Sequence, residues 1–333
     1  MVLPNESGGA SFDLRNGDII SGAIINEGGT VNFYDGGINV VSTTHAGRGL
    51  FGGVFTDHVQ ATAKDVTITL AGGTVGNVFG GGWAQYGGKS TVENVTITIE
   101  AGADGTGSTV YGGGAHAVGE AAGTTVAGNV NINVTQNTTF KSIFAGGQCE
   151  GDSVANTAIT VRGAYGDFTT NLFGQGYQNA GTVIGASDLN LNDFTGAVTG
   201  YVGGFNEIIL AGTATAVDFT ATNWYGADSM ALVLDLAGRD GEAGFMAALG
   251  DNTGLLDRTV GISLGAKAKE QAELNVFTAV DLDLTFDIFD GKKTHSLAAG
   301  EAISEGDYAG WGIKKDKYGE AGLFSYTFSN LAD

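Results

Sequence analysis

The sequence is poor in the two residue types that staple or stiffen a chain. Its 333 residues include one cysteine, Cys149, and one proline, Pro4. A single cysteine excludes an intrachain disulfide framework and a cysteine-rich zinc site. A single proline excludes collagen and proline-rich linkers.

Basic residues are also scarce. The chain has 15 Lys and Arg against 36 Asp and Glu, and its formal net charge is −21. Because a surface of this sign repels phosphate backbones and anionic lipid headgroups, we expect no nucleic-acid partner. No run of 18 consecutive apolar residues occurs, so we also expect no membrane-spanning segment.

Glycine, in contrast, is abundant, with 58 residues, and much of it follows a recurring apolar pair. The second apolar residue of each copy falls at positions 51, 79, 111, 144, 173 and 202, which are 28, 32, 33, 29 and 29 residues apart. The copies are Leu50-Phe51-Gly52-Gly53, Val78-Phe79-Gly80-Gly81-Gly82, Val110-Tyr111-Gly112-Gly113-Gly114, Ile143-Phe144-Ala145-Gly146-Gly147, Leu172-Phe173-Gly174-Gln175-Gly176 and Tyr201-Val202-Gly203-Gly204.

Alternating apolar and polar residues lie between these copies. Val66–Leu70, Val95–Ile99 and residues 130–134 alternate with a period of two, which predicts strands with one buried face. A unit of this size cannot enclose a core alone and must stack on its copies. We therefore predict an all-β fold, a right-handed parallel β-solenoid over residues 10 to 212. In it Phe51, Phe79, Tyr111, Phe144 and Phe173 would form one interior column.

The glycines after each pair have an expected structural role. A chain that turns beside a bulky column needs a positive φ and no Cβ, and glycine supplies both. Gly80 to Gly82 precede Trp83 and not a lysine and a hydroxyl residue, so they do not match a phosphate-binding loop.

Three regions follow from these patterns: an N-terminal cap of short rungs over 1–46, a solenoid over 47–212, and a mostly β capping region over 213–333. Short strands are predicted at Ile19-Ile20 and at residues 38–41 in the cap. In the last region we predict a short helix around residues 244–249. We also predict an alternating strand with Leu282, Leu284, Phe286 and Ile288 inward, and a hairpin-like end that packs Trp311 inside.

Two segments carry a resemblance to a known family. Residues 21–37, SGAIINEGGTVNFYDGG, and residues 72–82, GGTVGNVFGGG, resemble the repeats of adhesin passenger domains of bacterial type V autotransporters and related surface proteins. The resemblance covers roughly residues 10 to 212. It implies a secreted or cell-surface β-helix.

The residues just after the glycine turns are variable and include aromatic side chains. If the repeats are in register, Phe55, Trp83, Tyr86, His116 and Tyr177 would project from one edge as ligand contacts for glycans or proteins. The alternative is that Trp83 and Tyr86 fold back over the glycine turns as part of the core.

Motifs for catalysis or for a metal are not evident in the sequence. His45, His58, His116 and His295 share no metal-ligand spacing, so we expect neither metal nor cofactor. Residues 151–153, Gly-Asp-Ser, match the surroundings of some serine nucleophiles over only three positions.

These observations favour a non-catalytic bacterial surface or secreted protein that presents its loops to a host glycan, a protein or neighbouring cells. One alternative is a filament or layer protein that assembles with copies of itself. Another is a β-helix polysaccharide hydrolase, for which loop carboxylates such as Asp57 and Glu150 are present, or a lyase, which the lack of clustered Lys and Arg disfavours.

Overall fold

The chain is all-β in a computed structural model, which confirms the all-β part of the predicted fold class. The only helical segment among the described residues is the 3₁₀ turn Tyr177–Asn179. The described residues are 11–14, 24–25, 29–33, 50–53, 55–57, 59–71, 73–74, 76–116, 123–135, 138–179, 181–212, 215–226, 230–236, 246–249, 256–264, 273–280, 283–319 and 322–332.

The chain divides into two compact units, whose segments alternate along the sequence. The first consists of Met1–Val161, Thr169–Leu189 and Tyr201–Phe205, and the second of Arg162–Phe168, Asn190–Gly200 and Asn206–Asp333. The domain boundaries expected at 46 and 212 stay predictions.

One sheet of the first unit is a ladder of parallel strands, one from each successive repeat. In ladder order these are β1 (Ser11–Leu14), β3 (Gly29–Phe33), β7 (Val66–Leu70), β12 (Val95–Ile99), β15 (Gly123–Val134) and the first part of β17 (Ser153–Phe168). Three shorter strands belong to the same sheet. β6 (Gln60–Ala63) pairs with β11 (Lys89–Val92), which pairs with the long strand β15, and β19 (Thr182–Val183) pairs with β17.

The register of this ladder places like residues next to each other. Ile68 pairs with Ile97, which pairs with Ile132, which pairs with Ile159, and all four are buried. The alternate residues are half-buried, such as Thr67 in β7, or exposed, such as Asn131 in β15. Strict alternation of β-branched and polar residues therefore gives the buried face that the sequence predicted.

A second parallel sheet of the first unit holds the recurring apolar pairs. Its strands, in ladder order, are β2 (Ile24–Ile25), β4 (Leu50–Phe51), β9 (Val78–Phe79), β13 (Ala103–Tyr111), β16 (Thr139–Phe144), β18 (Asn171–Phe173) and β21 (Tyr201–Gly203), and β8 (Gly73–Thr74) also pairs with β13.

The aromatic residues of this sheet form the predicted column. Neighbouring rings lie 4.5 to 5.4 Å apart between centroids, with interplanar angles of 4° to 12°. Parallel in-register strands place equivalent side chains one strand spacing apart, about 4.8 Å, which is also a stacking distance for aromatic rings. The rings in order are Phe51, Phe79, Tyr111, Phe144 and Phe173.

The glycine turns beside the column owe their composition to close packing of the backbone. A Cβ on Gly81 would lie 2.6 Å from the backbone nitrogen of Gly114 in the next repeat. Gly80 and Gly81 do not have a left-handed φ, so the expected need for positive φ is wrong at these positions. The missing Cβ alone explains the glycine there.

A third, short parallel sheet follows the glycine turns. It joins β5 (Phe55–Asp57), β10 (Trp83–Gln85) and β14 (Ala115–His116). Thr56, Ala84 and His116 are aligned across the three strands. This sheet positions the loop edge that we predicted to contact a ligand.

The second unit also contains parallel ladders. One runs through β20 (Ser187–Val198), β23 (Ala216–Asp218), β26 (Met246–Leu249) and β28 (Glu273–Val280), and another through β22 (Glu207–Ala211), β25 (Met230–Asp235), β27 (Leu256–Ser263) and β29 (Thr285–Phe289). Antiparallel pairings complete the unit: β29 with β30 (Thr294–Ala298), β31 (Trp311–Tyr318) with β32 (Leu323–Asn330), and β32 with β28. The short strand β24 (Asn223–Tyr225) lies between β23 and β25 in the sequence.

The short helix predicted around residues 244–249 is wrong where the structure describes it. Met246–Leu249 is strand β26, paired in parallel with β23 and β28. Its residues, Met-Ala-Ala-Leu, have good helix propensity, but four residues cannot hold a helix against the hydrogen bonds that two neighbouring strands offer.

Two other expectations for this unit are confirmed in part. Leu284, Phe286 and Ile288 are buried, whereas Leu282 lies outside the described residues. The chain ends in the antiparallel pair β31 and β32, in which half-buried Trp311 packs on Tyr308 and Phe328.

The strands expected at Ile19-Ile20 and residues 38–41 lie outside the described residues. Within the described part of the chain, no helix has the length and apolar character needed to cross a bilayer.

Candidate functional site

The five residues predicted to contact a ligand lie in different surroundings. Trp83 is buried and packs edge-on against Phe51, with ring centroids 5.7 Å apart. His116 is also buried, at 5% exposure. Tyr86 is 54% exposed and adopts a left-handed φ of 49°. Trp83 therefore folds back into the core, as the alternative proposed, whereas Tyr86 projects from the loop edge.

The remaining two residues extend this loop edge. Tyr177 is 41% exposed, and its ring lies edge-on to Phe144 at 5.6 Å. The backbone of Phe55 belongs to β5, opposite Trp83, while its side chain lies outside the described structure. The ligand-contact role of all five residues stays a prediction.

A cluster of His116, Cys149 and Asp152 lies on the same edge, and sequence reasoning missed it. One ligand atom from each side chain lies within 4.8 Å of the other two. Asp152 and His116 are buried and Cys149 is half-buried. We call these three residues the His-Cys-Asp cluster.

Parallel pairing explains how the cluster comes together. His116 ends β14, and the backbone nitrogen of Gln148 donates to the carbonyl of Gly114 at 3.0 Å, so the next repeat continues the ladder. Cys149 therefore follows at the level of His116. A turn then brings Asp152 back, with its backbone nitrogen donating to the Cys149 carbonyl at 3.1 Å.

Glycines also make room for the cluster. A Cβ on Gly147 would lie 2.5 Å from the Cβ of Asp152, and a Cβ on Gly114 would lie 2.7 Å from Oγ1 of Thr124. Both positions belong to the recurring glycine turn. The turn that accommodates the aromatic column thus also lets a polar cluster approach the backbone.

The Asp152 carboxylate is surrounded by donors. Its Oδ1 accepts from the backbone nitrogen of Thr124 at 3.0 Å, from Thr124 Oγ1 at 2.8 Å and from His116 Nδ1 at 2.9 Å. Its Oδ2 accepts from the backbone nitrogen of Cys149 at 2.8 Å. Since an ionised carboxylate only accepts, Nδ1 of His116 carries a proton in this arrangement. These bonds compensate for the burial of the charge.

The surroundings of the Cys149 side chain favour the protonated thiol. Its Sγ donates to the His116 carbonyl at 3.4 Å. Burial raises the pKa of the thiol, and the negative charge of Asp152 adds to the increase. An activated nucleophile requires a lowered thiol pKa, so the arrangement does not favour nucleophilic catalysis by Cys149.

The aromatic column borders the cluster. Cys149 packs against the column, and burial raises the pKa of Tyr111 to about 12. The adjacent Gln148 has a buried Oε1 that accepts no hydrogen bond from the described residues. The cluster is therefore in contact with the apolar column through Cys149 and is next to the polar Gln148 in the sequence.

The cluster offers one nitrogen, one sulfur and one oxygen ligand, which is a donor set that zinc uses in proteins. A motif search could not find it because His116 and Cys149 are 33 residues apart in different repeats. The sequence did indicate that His116 and Cys149 are equivalent positions of successive repeats, because each lies two residues after the last glycine of its turn, Gly114 and Gly147. The position of Asp152 relative to the glycine turn did not predict that it would join them.

Comparison with protein-family models, with curated proteins and with solved structures found no match to this chain.

Proposed function

We propose that this chain is a right-handed parallel β-solenoid of the bacterial surface or secreted class. In this proposal it acts as a non-catalytic, adhesin-like passenger that presents its loops to a glycan or protein on a host or neighbouring cell. The observation that carries the proposal is the in-register stacking of successive repeats along the column from Phe51 to Phe173. Stacked repeats place equivalent loops side by side, which creates an extended binding edge.

The exposed aromatic residues on this edge support a binding role. Tyr86 follows Gln85 and precedes a glycine turn, and Tyr177 begins the turn Tyr-Gln-Asn. Tyrosine combines an apolar ring with a hydrogen-bonding hydroxyl, and such residues are enriched where proteins meet partners. The excess of acidic residues favours a neutral or cationic partner over an anionic one.

The antiparallel end of the second unit supports a presented monomer over an end-to-end filament. Strand β32 pairs with β28 and so covers an edge that would otherwise offer free backbone groups to another chain. Enzyme function receives less support, because Cys149 is held as a thiol and the Asp152 carboxylate is occupied by four hydrogen bonds.

The test is binding of the purified chain to a glycan array and to panels of cell-surface proteins. We expect a set of ligands whose binding falls at least tenfold in the double variant Tyr86→Ala, Tyr177→Ala. The matched control is Tyr225→Ala, an equally exposed tyrosine of the second unit, which should bind as the unchanged chain does. Turnover of a polysaccharide that Glu150→Gln abolishes would contradict the proposal.

A further inference from the structure

We propose that the His-Cys-Asp cluster binds one divalent cation of the zinc type, through His116, Cys149 and Asp152. The fourth position of the tetrahedron would take water or a ligand from outside. This proposal is independent of the adhesin-like function, because it concerns the occupancy of one site and not what the loop edge recognises.

The first support is distance. The three ligand atoms already lie within 4.8 Å of one another. Zinc bonds of about 2.0 Å to nitrogen, about 2.1 Å to oxygen and about 2.3 Å to sulfur put tetrahedral ligands roughly 3.3 to 3.7 Å apart. A pair of ligand atoms at the 4.8 Å limit would therefore have to approach by about 1 Å on binding.

The second support is charge. A Cys149 thiolate and the Asp152 carboxylate together carry two negative charges, which a divalent cation neutralises. On binding, the thiol gives its proton to solvent and the sulfur forms the bond to the cation. His116 would coordinate through Nδ1: the proton on Nδ1 moves to Nε2, and the bond to the cation replaces the hydrogen bond from Nδ1 to Asp152 Oδ1. Neutralising the carboxylate charge suits a site this buried, even though hydrogen bonds already compensate part of the cost of burying it.

The third support is preorganisation of the carboxylate. Thr124 donates to Asp152 from both its backbone nitrogen and its hydroxyl, and the backbone nitrogen of Cys149 donates to the other oxygen. Hydrogen bonds of this type orient metal ligands in proteins and raise affinity. They also tie Cys149 to Asp152 through the backbone, so two of the three ligands move little relative to each other.

The donor set selects the class of cation. Thiolate and imidazole ligands favour zinc and the later divalent transition metals, whereas magnesium and calcium prefer all-oxygen sites. Cobalt(II) accepts the same tetrahedral ligands and is coloured, so it reports on the site directly. Cobalt bound to a thiolate gives a near-ultraviolet charge-transfer band, and tetrahedral cobalt gives strong visible bands.

The experiment is a titration of the full chain with cobalt(II) after treatment with a chelator. We expect both sets of bands to saturate at one cobalt per chain and to disappear when zinc is added. Cys149→Ser should abolish the charge-transfer band, and Thr124→Val should weaken binding by about 10- to 100-fold. Near-ultraviolet circular dichroism of the aromatic column checks that each variant is folded.

The matched control uses a half-buried histidine–carboxylate pair elsewhere in the chain, which has no thiol beside it. His295 Nε2 lies 3.0 Å from Asp290 Oδ2, and Cys149 is the chain's one cysteine. His295→Gln should therefore keep both sets of cobalt bands. Failure of the folded, unchanged chain to bind cobalt or zinc at millimolar concentration would overturn the proposal, and so would an undiminished charge-transfer band in Cys149→Ser.

Discussion

At the scale of single residues, the glycine turns set how closely successive repeats approach. Gly81 lies against the backbone of Gly113 and Gly114, where a methyl group has no space. The recurrence of glycine at these places is therefore a packing requirement imposed by the next repeat. A local rule based on φ alone would have missed this cause.

The change Gly81→Ala tests this point. The added Cβ would meet backbone atoms at 2.6 to 3.0 Å, so two repeats must separate, and we expect a loss of about 1 to 3 kcal/mol in the free energy of unfolding. Urea denaturation followed by circular dichroism measures it. Gly166→Ala is the control, because its Cβ has no atom within 4 Å, and it should be neutral or slightly stabilising. Equal effects of the two changes would argue against the packing explanation.

The aromatic column consists of five side chains, and Tyr111 is the only one of them that carries a hydroxyl group. Burial raises its pKa to about 12, and the nearby Tyr177 adds to the increase. An unfolded tyrosine titrates near pH 10. The folded state therefore holds this proton over a range in which the unfolded state has lost it.

This difference predicts a loss of stability in alkali. The contribution of Tyr111 is fully present below about pH 10 and disappears as the pH rises through about 12, because unfolding then releases a proton. Tyr111→Phe, which matches its neighbours in the column, should flatten the decline in unfolding free energy between these values. The exposed Tyr86→Phe serves as the control and should leave the decline unchanged. A pH profile of denaturant midpoints provides the measurement.

At the scale of elements, the final hairpin protects a strand edge. Strand β32 lies between β28 and β31, so its backbone groups are bonded on both sides. Loss of one backbone hydrogen bond of β32 leaves a backbone N–H or C=O of the adjacent strand unpaired, and that group can then pair with another molecule. The hairpin is thus expected to contribute to solubility as well as to stability.

The variant Ser325→Pro examines this role. Ser325 pairs with Thr278 on one side and Asp316 on the other, and proline removes its N–H from the ladder. We expect self-association, seen as a concentration-dependent rise in sedimentation coefficient, together with lower stability. Ser325→Thr keeps the N–H and favours a strand, so it should remain monodisperse. A monodisperse Ser325→Pro chain would show that the hairpin does not guard the edge.

At the scale of the whole molecule, the net charge of −21 acts against compaction. Like charges repel one another over distances that salt shortens, from about 30 Å at 0.01 M to about 3 Å at 1 M. The exposed pairs Lys292–Asp307 and Lys293–Glu305 attract, but pairs of this kind contribute little. Repulsion should therefore dominate the response to salt.

We accordingly expect the melting temperature to rise between 0.01 M and 0.5 M sodium chloride. A gain of 1 kcal/mol would correspond to roughly 2 °C for a chain of this length. Differential scanning calorimetry measures the shift, and potassium chloride should give the same result if screening is the cause. A melting temperature that falls with salt would mean that attractive ion pairs outweigh the repulsion.

The sequence was informative wherever one residue type recurs at a fixed interval. The aromatic column and the strands that carry Ile68, Ile97 and Ile132 were predictable because each repeat contains the same apolar pair and the same alternation of apolar and polar residues. It was least informative for a short segment such as Met246–Leu249, where four residues carry too little periodicity to separate a strand from a helix.

Sequence alone therefore determined the all-β class, the buried face of each strand and the order of the column, because these depend on local alternation and on repetition. Tertiary structure alone decided that Trp83 turns inward, that Tyr86 stays exposed, and that His116, Cys149 and Asp152 meet. The physical reason is register: a side chain's neighbours across a parallel ladder are set by hydrogen bonds to other repeats, some 30 residues away, and not by the residues beside it in the chain.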